Sequence, residues 1–462
     1  MNLREINFTA KKYFNPVINN QKAYLLLVLV GVLLFPVISN LLSDRPLFTA
    51  SESYYHLAQA ETWELSNLHY WPLTQAVKIL PEEGLIFIPI LLAIGSFFLF
   101  YDLVQKTKIS PKHTFWGVLF LILSPAFIQA FTNLNSQAFF LFLLLAVFWL
   151  LNQNKPIIRY LAIIPLILAS FIEVYSSILL VLVMMLYFRL KSEKNNLAVI
   201  CLVTPIFIFV LDLFWRPIMH GPFKVQAWLP DLISDLGYIS GLSFFILILS
   251  LMGLVLSWKK LWPQKRLRWI YPFGLITLVG YFYNTTYIFF LTVSATFFAT
   301  LGFISLFENK WKIKELKKIT YWLLILGIVF STITFWERSN DYGPTLSDKN
   351  ALSWIKDNTL SQSIIFSSPE NGEYVAYFAQ RKPFYSFSEK NPAKYALSQE
   401  ILSSIYIQDL FPILEDQGIN IIYINKNLRD RLPQDRGFLF LLKNERFKLV
   451  YSNEEAQVWS FK

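Results

Sequence analysis

The chain has 462 residues, 55% of them hydrophobic and 17% aromatic, with a mean hydropathy of +0.44. A soluble protein needs neither that apolar share nor that hydropathy, so composition excludes a wholly soluble chain and defines a polytopic α-helical membrane protein. The formal charge of +10 is topological and not a nucleic-acid footprint, and the single cysteine, Cys201, excludes an internal disulfide.

Eleven apolar runs recur along the chain, at 23–42, 84–101, 114–131, 138–151, 157–171, 174–188, 197–214, 239–258, 270–283, 287–307 and 321–336. Each is read as a transmembrane helix, the shorter ones crossing with tilt, tight turns or local bilayer thinning. The first run is preceded by lysines and followed by no A-x-A site, which reads as a retained signal anchor.

Lys and Arg alternate sharply between successive loops. One side holds Arg4, Lys11, Lys12 and Lys22, then Lys106, Lys108, Lys112, Lys155, Arg159, Arg189, Lys191 and Lys194, and the clusters at 259–268 and 310–318. The other side holds only Arg45, Lys78, Arg216 and Lys224. The positive-inside rule therefore predicts a cytoplasmic N-terminus and, after eleven crossings, an extracytoplasmic C-terminal domain.

From Glu337 the composition turns mixed and nearly neutral, which divides the chain into a membrane domain, 1–336, and a soluble α/β domain, 337–462. The membrane domain carries two long outer loops, 43–83 and 216–238. In the soluble part, periodicity predicts a helix at 348–357, a strand at 363–367, a helix near 373–380 and helical stretches within 393–416. Strands follow at 419–424 and 447–451, with a last strand at 457–461 paired across the 453–455 turn.

The first outer loop is the most acidic part of the membrane region, with Asp44, Glu52, Glu61, Glu64, Glu82 and Glu83 beside His56 and His69. If Ser51 caps a short helix, Glu52 and His56 stand at i and i+4 with Tyr55 at i+3 on the same face. A carboxylate and an imidazole presented together can activate a hydroxyl or amide acceptor; a solvated capping helix is the plainer alternative.

This loop, RPLFTASESYYHLAQAETWE at 45–64, follows a long span and resembles the D-P-x-Y-H-type loop of oligosaccharyltransferase catalytic subunits. Those enzymes belong to the class C glycosyltransferases, which use polyprenyl-linked sugars. SPAFIQAFTNLNSQAFFLF at 124–142 is similar to the family's stretch with paired acids at the start of the fourth span, but Asn135 and Gln137 stand where the acids would be. Ile233-Ser234-Asp235 resembles a short Ser-x-Glu element that lines the family's site, and a helix cap would account for the same residues. ALSWIKDNT at 351–359 looks like the helix that opens the family's extracytoplasmic domain, and GEYVAYFAQR at 372–381 fits the next one. Ser368-Pro369-Glu370-Asn371-Gly372 replaces the W-W-D-Y-G of protein-glycosylating members, keeping only an acid and the glycine.

The resemblance implies a membrane glycosyltransferase that moves a sugar or glycan from a polyprenyl-(di)phosphate carrier to an extracytoplasmic glycan, lipid or protein acceptor. It assigns Glu52 and His56 to catalysis, and Tyr55, Asn135, Gln137, Arg216, Lys224 and Asp235 to substrate binding. It also implies Mg or Mn, although amides at 135 and 137 withhold the anionic oxygens a divalent ion prefers. The family's arginine near the outer end of the last spans has no counterpart at Tyr283-Asn284-Thr285-Thr286, which leaves Arg216, Lys224 or Arg45 for the phosphate. The expected location is an archaeal or bacterial plasma membrane. Two rival readings stay open: a noncatalytic glycan-binding or assembly subunit, and a transporter of lipid-linked glycans. The absence of a polar path through the spans weighs against the transporter.

Overall fold

The computed structural model describes residues 20–61, 71–106, 110–172, 174–191, 196–215, 232–237, 241–261, 270–283, 287–308, 311–386, 389 and 391–461. It divides into two compact units. One takes the N-terminal helix as far as Val37 with Phe87–Trp215 and Val225–Asp341; the other takes Ile38–Ile86 with Tyr342–Lys462.

In the first unit each apolar run forms helix over most of its described residues, with breaks at 123–124, 161–162 and 241–243. By length and composition, four of the described helices can cross a membrane: Gln21–Leu42, Glu83–Lys106, Ile288–Glu308 and the helix that begins at Lys314. A bent pair raises the number to five, and Ser136–Leu151, Asn196–Leu211 and Ile270–Phe282 are among the shorter apolar helices.

The bent pair comes from the run at 114–131, which reads as one span in the sequence but forms two helices, Pro111–Ile122 and Pro125–Thr132, at 63° to each other. Ser124 and Pro125 explain the break. The Ser124 side chain caps the second helix by accepting from the Phe127 N–H at 3.4 Å, and Pro125 takes the first helical position, where its missing N–H forfeits no bond. The Leu123 carbonyl exposed by the break accepts from Thr332 Oγ1 at 2.7 Å.

Phe244–Leu261 and Ile288–Glu308 meet backbone to backbone. A Cβ on Gly253 would collide with the Phe298 carbonyl, and one on Gly302 with the Leu249 carbonyl. Small residues let membrane helices approach this closely and gain dispersion contact that lipid cannot replace. The helix Lys314–Tyr342 has 29 residues and so runs about 43 Å, longer than the about 30 Å hydrocarbon layer. The composition change at Glu337 falls inside this helix, so Glu337, Arg338 and Asp341 are carried on its last two turns.

The second unit holds a five-stranded sheet in the order β2-β1-β3-β5-β4, where β1 is Ile364–Phe366, β2 Lys382–Pro383, β3 Ile419–Asn425, β4 Phe447–Ser452 and β5 Ala456–Phe461. β1 is parallel to β2 and β3, whereas β5 is antiparallel to β3 and β4. β3, INIIYIN, is buried at six of its seven positions, as a strand covered on both faces requires. The β4–β5 turn is an Asx turn: Asn453 Oδ1 accepts from the N–H groups of Glu455 and Ala456 at 3.1 and 2.7 Å.

Leu346–Asn358 starts with a capping box between Thr345 and Asp348. The buried Asp348 carboxylate also accepts from the Tyr423 hydroxyl of β3 at 2.6 Å, tying helix to sheet. Burial pushes the Asp348 carboxyl up and, together with that carboxylate, pushes the Tyr423 phenol up as well. At the far end of the helix, Arg381 donates to the Lys356 and Thr359 carbonyls, which satisfies terminal groups and complements the helix dipole. The segment expected as a helix near 373–380 is a single turn, Gly372–Tyr374, followed by a π-turn, Val375–Ala379, and stopped by Gln380 at φ +50°. The stretch 393–416 resolves into two helices, Pro392–Ser403 and Ile407–Asp416.

Candidate active site

The site residues expected from sequence divide between the two units, and each group is taken within its own unit. In the second unit, Ser51–Glu61 is a helix, and it places Glu52 and His56 one turn apart. His56 Nε2 lies 3.4 Å from Glu52 Oε1, long for a hydrogen bond but within the range in which substrate-free catalytic pairs sit before they tighten. The His56 side chain is 13% exposed and that of Glu52 37%, so the imidazole is backed by protein while the carboxylate reaches solvent. The Tyr55 ring lies 5.4 Å from the imidazole, centroid to centroid.

What fixes this helix is Tyr54, which is wholly buried. Its hydroxyl donates to the Phe48 carbonyl at 2.8 Å. Its ring packs on Tyr374, Tyr377 and Phe378 at centroid distances of 5.2, 5.5 and 5.0 Å. The π-turn thus supplies an aromatic seat for the helix that carries Glu52. Burial, followed by the carboxylates of Asp348, Glu370 and Glu373, pushes the Tyr374 phenol up, so it remains a neutral packing group and not a base.

In the first unit, Asn135 is the N-cap of Ser136–Leu151, and its Oδ1 accepts from the Gln137 N–H at 2.6 Å. Each Asp235 oxygen accepts from a protein donor: Oδ2 from the Phe244 N–H at 2.6 Å, where the helix Phe244–Leu261 begins, and Oδ1 from the Ser331 hydroxyl. Arg216 and Lys224 lie outside the described residues, as do Glu64, His69 and the turn at 284–286.

Sequence reasoning missed Arg338. Its guanidinium is half-buried and donates through Nε to the Thr334 carbonyl at 3.1 Å, through Nη1 to the Ser234 carbonyl, and through Nη2 to Ser234 Oγ at 3.2 Å. All three acceptors are neutral. The change of composition at Glu337 assigned Arg338 to the soluble domain, whereas helical periodicity continued through it would have placed it on the last span.

The divalent ion implied by the family resemblance does not fit these residues. Asn135 and Gln137 are neutral where a divalent ion prefers anionic oxygens, and the Asn135 oxygen caps its own helix. Among the described residues, no three His, Cys, Asp or Glu side chains converge.

The fold, a helical unit and a compact α/β unit, is shared with solved glycosyltransferase structures. The chain is similar to the oligosaccharyltransferase of Archaeoglobus fulgidus tethered with an acceptor peptide containing the NVT sequon, at TM-score 0.57 and 10% identity, over 88% of this chain and 69% of that one. It is similar to the archaeal oligosaccharyltransferase AglB from Archaeoglobus fulgidus in complex with an inhibitory peptide and a dolichol-phosphate, at TM-score 0.56 and 9% identity, over 89% and 70%. ArnT from Cupriavidus metallidurans in the apo state matches 96% of this chain and 98% of its own, at TM-score 0.51 and 10% identity. No protein-family model matches the sequence, and no curated protein does. At such identities the likeness is one of fold.

Proposed function

We propose that this chain is a membrane glycosyltransferase that takes a sugar or glycan from a polyprenyl-(di)phosphate carrier and passes it to an acceptor on the extracytoplasmic side. The observation that carries this reading is the Glu52–His56 pair, set on a buried aromatic seat in a chain with the class C fold.

In the proposed reaction Glu52 accepts the proton of the acceptor hydroxyl or amide. The freed acceptor atom attacks the anomeric carbon, and the bond from that carbon to the phosphate oxygen breaks, leaving its electron pair on the phosphate. His56 orients the carboxylate, and Tyr55 lines the approach of the acceptor. Arg216 and Lys224, the cations of the second outer loop, receive the departing phosphate. Asn135 and Gln137 offer neutral amides to sugar hydroxyls, and Asp235 positions the Ser234 turn on which Arg338 rests.

The dolichol-phosphate bound by one structural neighbour supports a polyprenyl carrier. The acceptor peptide tethered to another does not carry over, because Ser368–Gly372 lacks the aromatic pair that recognises a sequon in the resembling enzymes. A glycan or lipid acceptor therefore fits better than a sequon-bearing protein. The arginine and lysine distribution supports a multi-pass plasma-membrane protein with a cytoplasmic N-terminus. The noncatalytic alternative draws on one observation, that Asn135 serves as a helix cap where the family has an acid. Incubating the chain in lipid with labelled polyprenyl-linked sugars from its source membrane separates the two, since only a transferase consumes the donor.

A further inference from the structure

The helix Lys314–Tyr342 carries a second feature at its other end. Residues 311–318 hold Lys312, Lys314, Lys317 and Lys318 against one acid, Glu315. Other cations of the same side are engaged by protein: Lys106 lies 3.3 Å from Asp102, Lys112 lies 3.1 Å from Glu308, and Arg159 donates to the Gln153 carbonyl at 2.7 Å. Lys312, Lys314 and Lys318 are exposed, and among the described residues none has a carboxylate within 4.0 Å. We propose that this end of the helix binds one anionic phospholipid of the leaflet on the basic side, with the phosphate at Lys314 and Lys318 and one acyl chain laid along Ile319 to Leu326.

Charge is joined here to a shape that fits a lipid. A groove of about 570 Å³ opens at Lys318 and is lined by Ile319, Trp322, Leu323 and Leu326, each of them more than half exposed. Lys318, Trp322 and Leu326 follow at i, i+4 and i+8, so the charge and the groove share one side of the helix. From Lys318 to Leu326 the helix rises about 12 Å, close to the about 15 Å of hydrocarbon in one leaflet. Trp311 and Trp322 bracket the lysines, and tryptophan belongs at the membrane–water boundary; lysine stems lie along apolar surface there while the ammonium groups reach the headgroups. Lys112 and Lys317, from two different helices, stand over the one Phe307 ring at 5.4 and 5.1 Å, which adds positive charge beside the cluster. The far end of the same helix, at Ser331–Arg338, is about 20–30 Å away, so the site is separate from the residues proposed for transfer. An anionic phosphodiester supplies the counter-charge, worth about fivefold in affinity per lysine, whereas phosphatidylcholine cancels its own phosphate.

The test uses the full chain in nanodiscs of equal phosphatidylcholine and phosphatidylglycerol, released into native mass spectrometry, which reports both the retained lipid and the oligomeric state. Wild type should run as a monomer and retain one phosphatidylglycerol at least about tenfold in preference to phosphatidylcholine. Joint Lys312→Gln, Lys314→Gln and Lys318→Gln should abolish the preference, and Lys155→Gln, a lone lysine on the same side, should leave it unchanged. Trp322→Ala, at an exposed position where the fold should survive, should release the lipid with the lysines intact, and excess inorganic phosphate should not compete. The proposal is overturned if wild type retains both lipids alike, if the triple variant keeps the preference, or if Lys155→Gln loses as much of it. It is overturned equally if Trp322→Ala or inorganic phosphate shows that charge alone holds the ligand, or if a second copy of the chain covers the groove and excludes lipid.

Discussion

Replacing Tyr54 tests whether the aromatic seat is what makes Glu52 useful. The ring is fully buried against Tyr374, Tyr377 and Phe378, so Tyr54→Ala removes a core aromatic, a change that costs about 3–5 kcal/mol through transfer and cavity terms. The hydroxyl bond to the Phe48 carbonyl adds about 1 kcal/mol, and leaves that acceptor unsatisfied. Against a typical domain stability of about 5–15 kcal/mol, the loss detaches the Ser51–Glu61 helix or unfolds the unit around it. Tyr54→Phe keeps the ring and forfeits only the hydroxyl bond, about 1–2 kcal/mol. Limited proteolysis and thermal melting of the chain in nanodiscs, read beside donor consumption, should show Phe slightly weakened and active, and Ala cleaved early within 43–62 and inactive. A Tyr54→Ala chain that resists protease like wild type and still consumes donor would refute the argument that burial of Tyr54 holds the acid in place.

Two further outcomes follow from the packing. Tyr423→Phe strips one donor from the buried Asp348 carboxylate and should cost about 1–3 kcal/mol by thermal melting at neutral pH. Burial raises the folded Asp348 pKa above its unfolded value, so this group's contribution is complete below the unfolded value and declines as pH rises through the folded one. The variant's deficit should therefore shrink in acid, where the carboxyl is protonated and no buried charge is left short of a partner. Gly253→Ala forces a methyl against the Phe298 carbonyl; it should lower the melting temperature of the membrane unit by the equivalent of about 1–3 kcal/mol, whereas Gly31→Ala, with open space around it, should not.

What could be read in the sequence was what repeats locally. Eleven apolar runs announce helices because every residue of a span contributes to the same signal, and the i, i+4 spacing of Glu52 and His56 follows from helical geometry once Ser51 starts the helix. The break at Ser124-Pro125 was visible only as chemistry, a cap residue followed by a first-turn proline inside an unbroken apolar run, and hydropathy smoothed over it. Tyr54 is not singled out by the sequence because its partners, Tyr374, Tyr377 and Phe378, lie more than three hundred positions away, where no periodicity reaches. Arg338 was hidden by a composition boundary drawn inside a helix. β2, two residues long, exists because a neighbouring strand offers it hydrogen bonds, which local propensity cannot register.

Glu52 bears the account's central claim, and donor consumption by Glu52→Gln against wild type tests it most directly. The substitution keeps the side chain's shape on the exposed end of a helix seated by Tyr54, so the fold should survive while the base is lost, and general-base removal typically lowers turnover by about 10²–10⁴-fold. Wild type that consumes polyprenyl-linked donor, beside a folded Glu52→Gln that does not, is the predicted result. Equal consumption by both would take catalysis away from Glu52, and consumption by neither would make the chain a noncatalytic member of the fold.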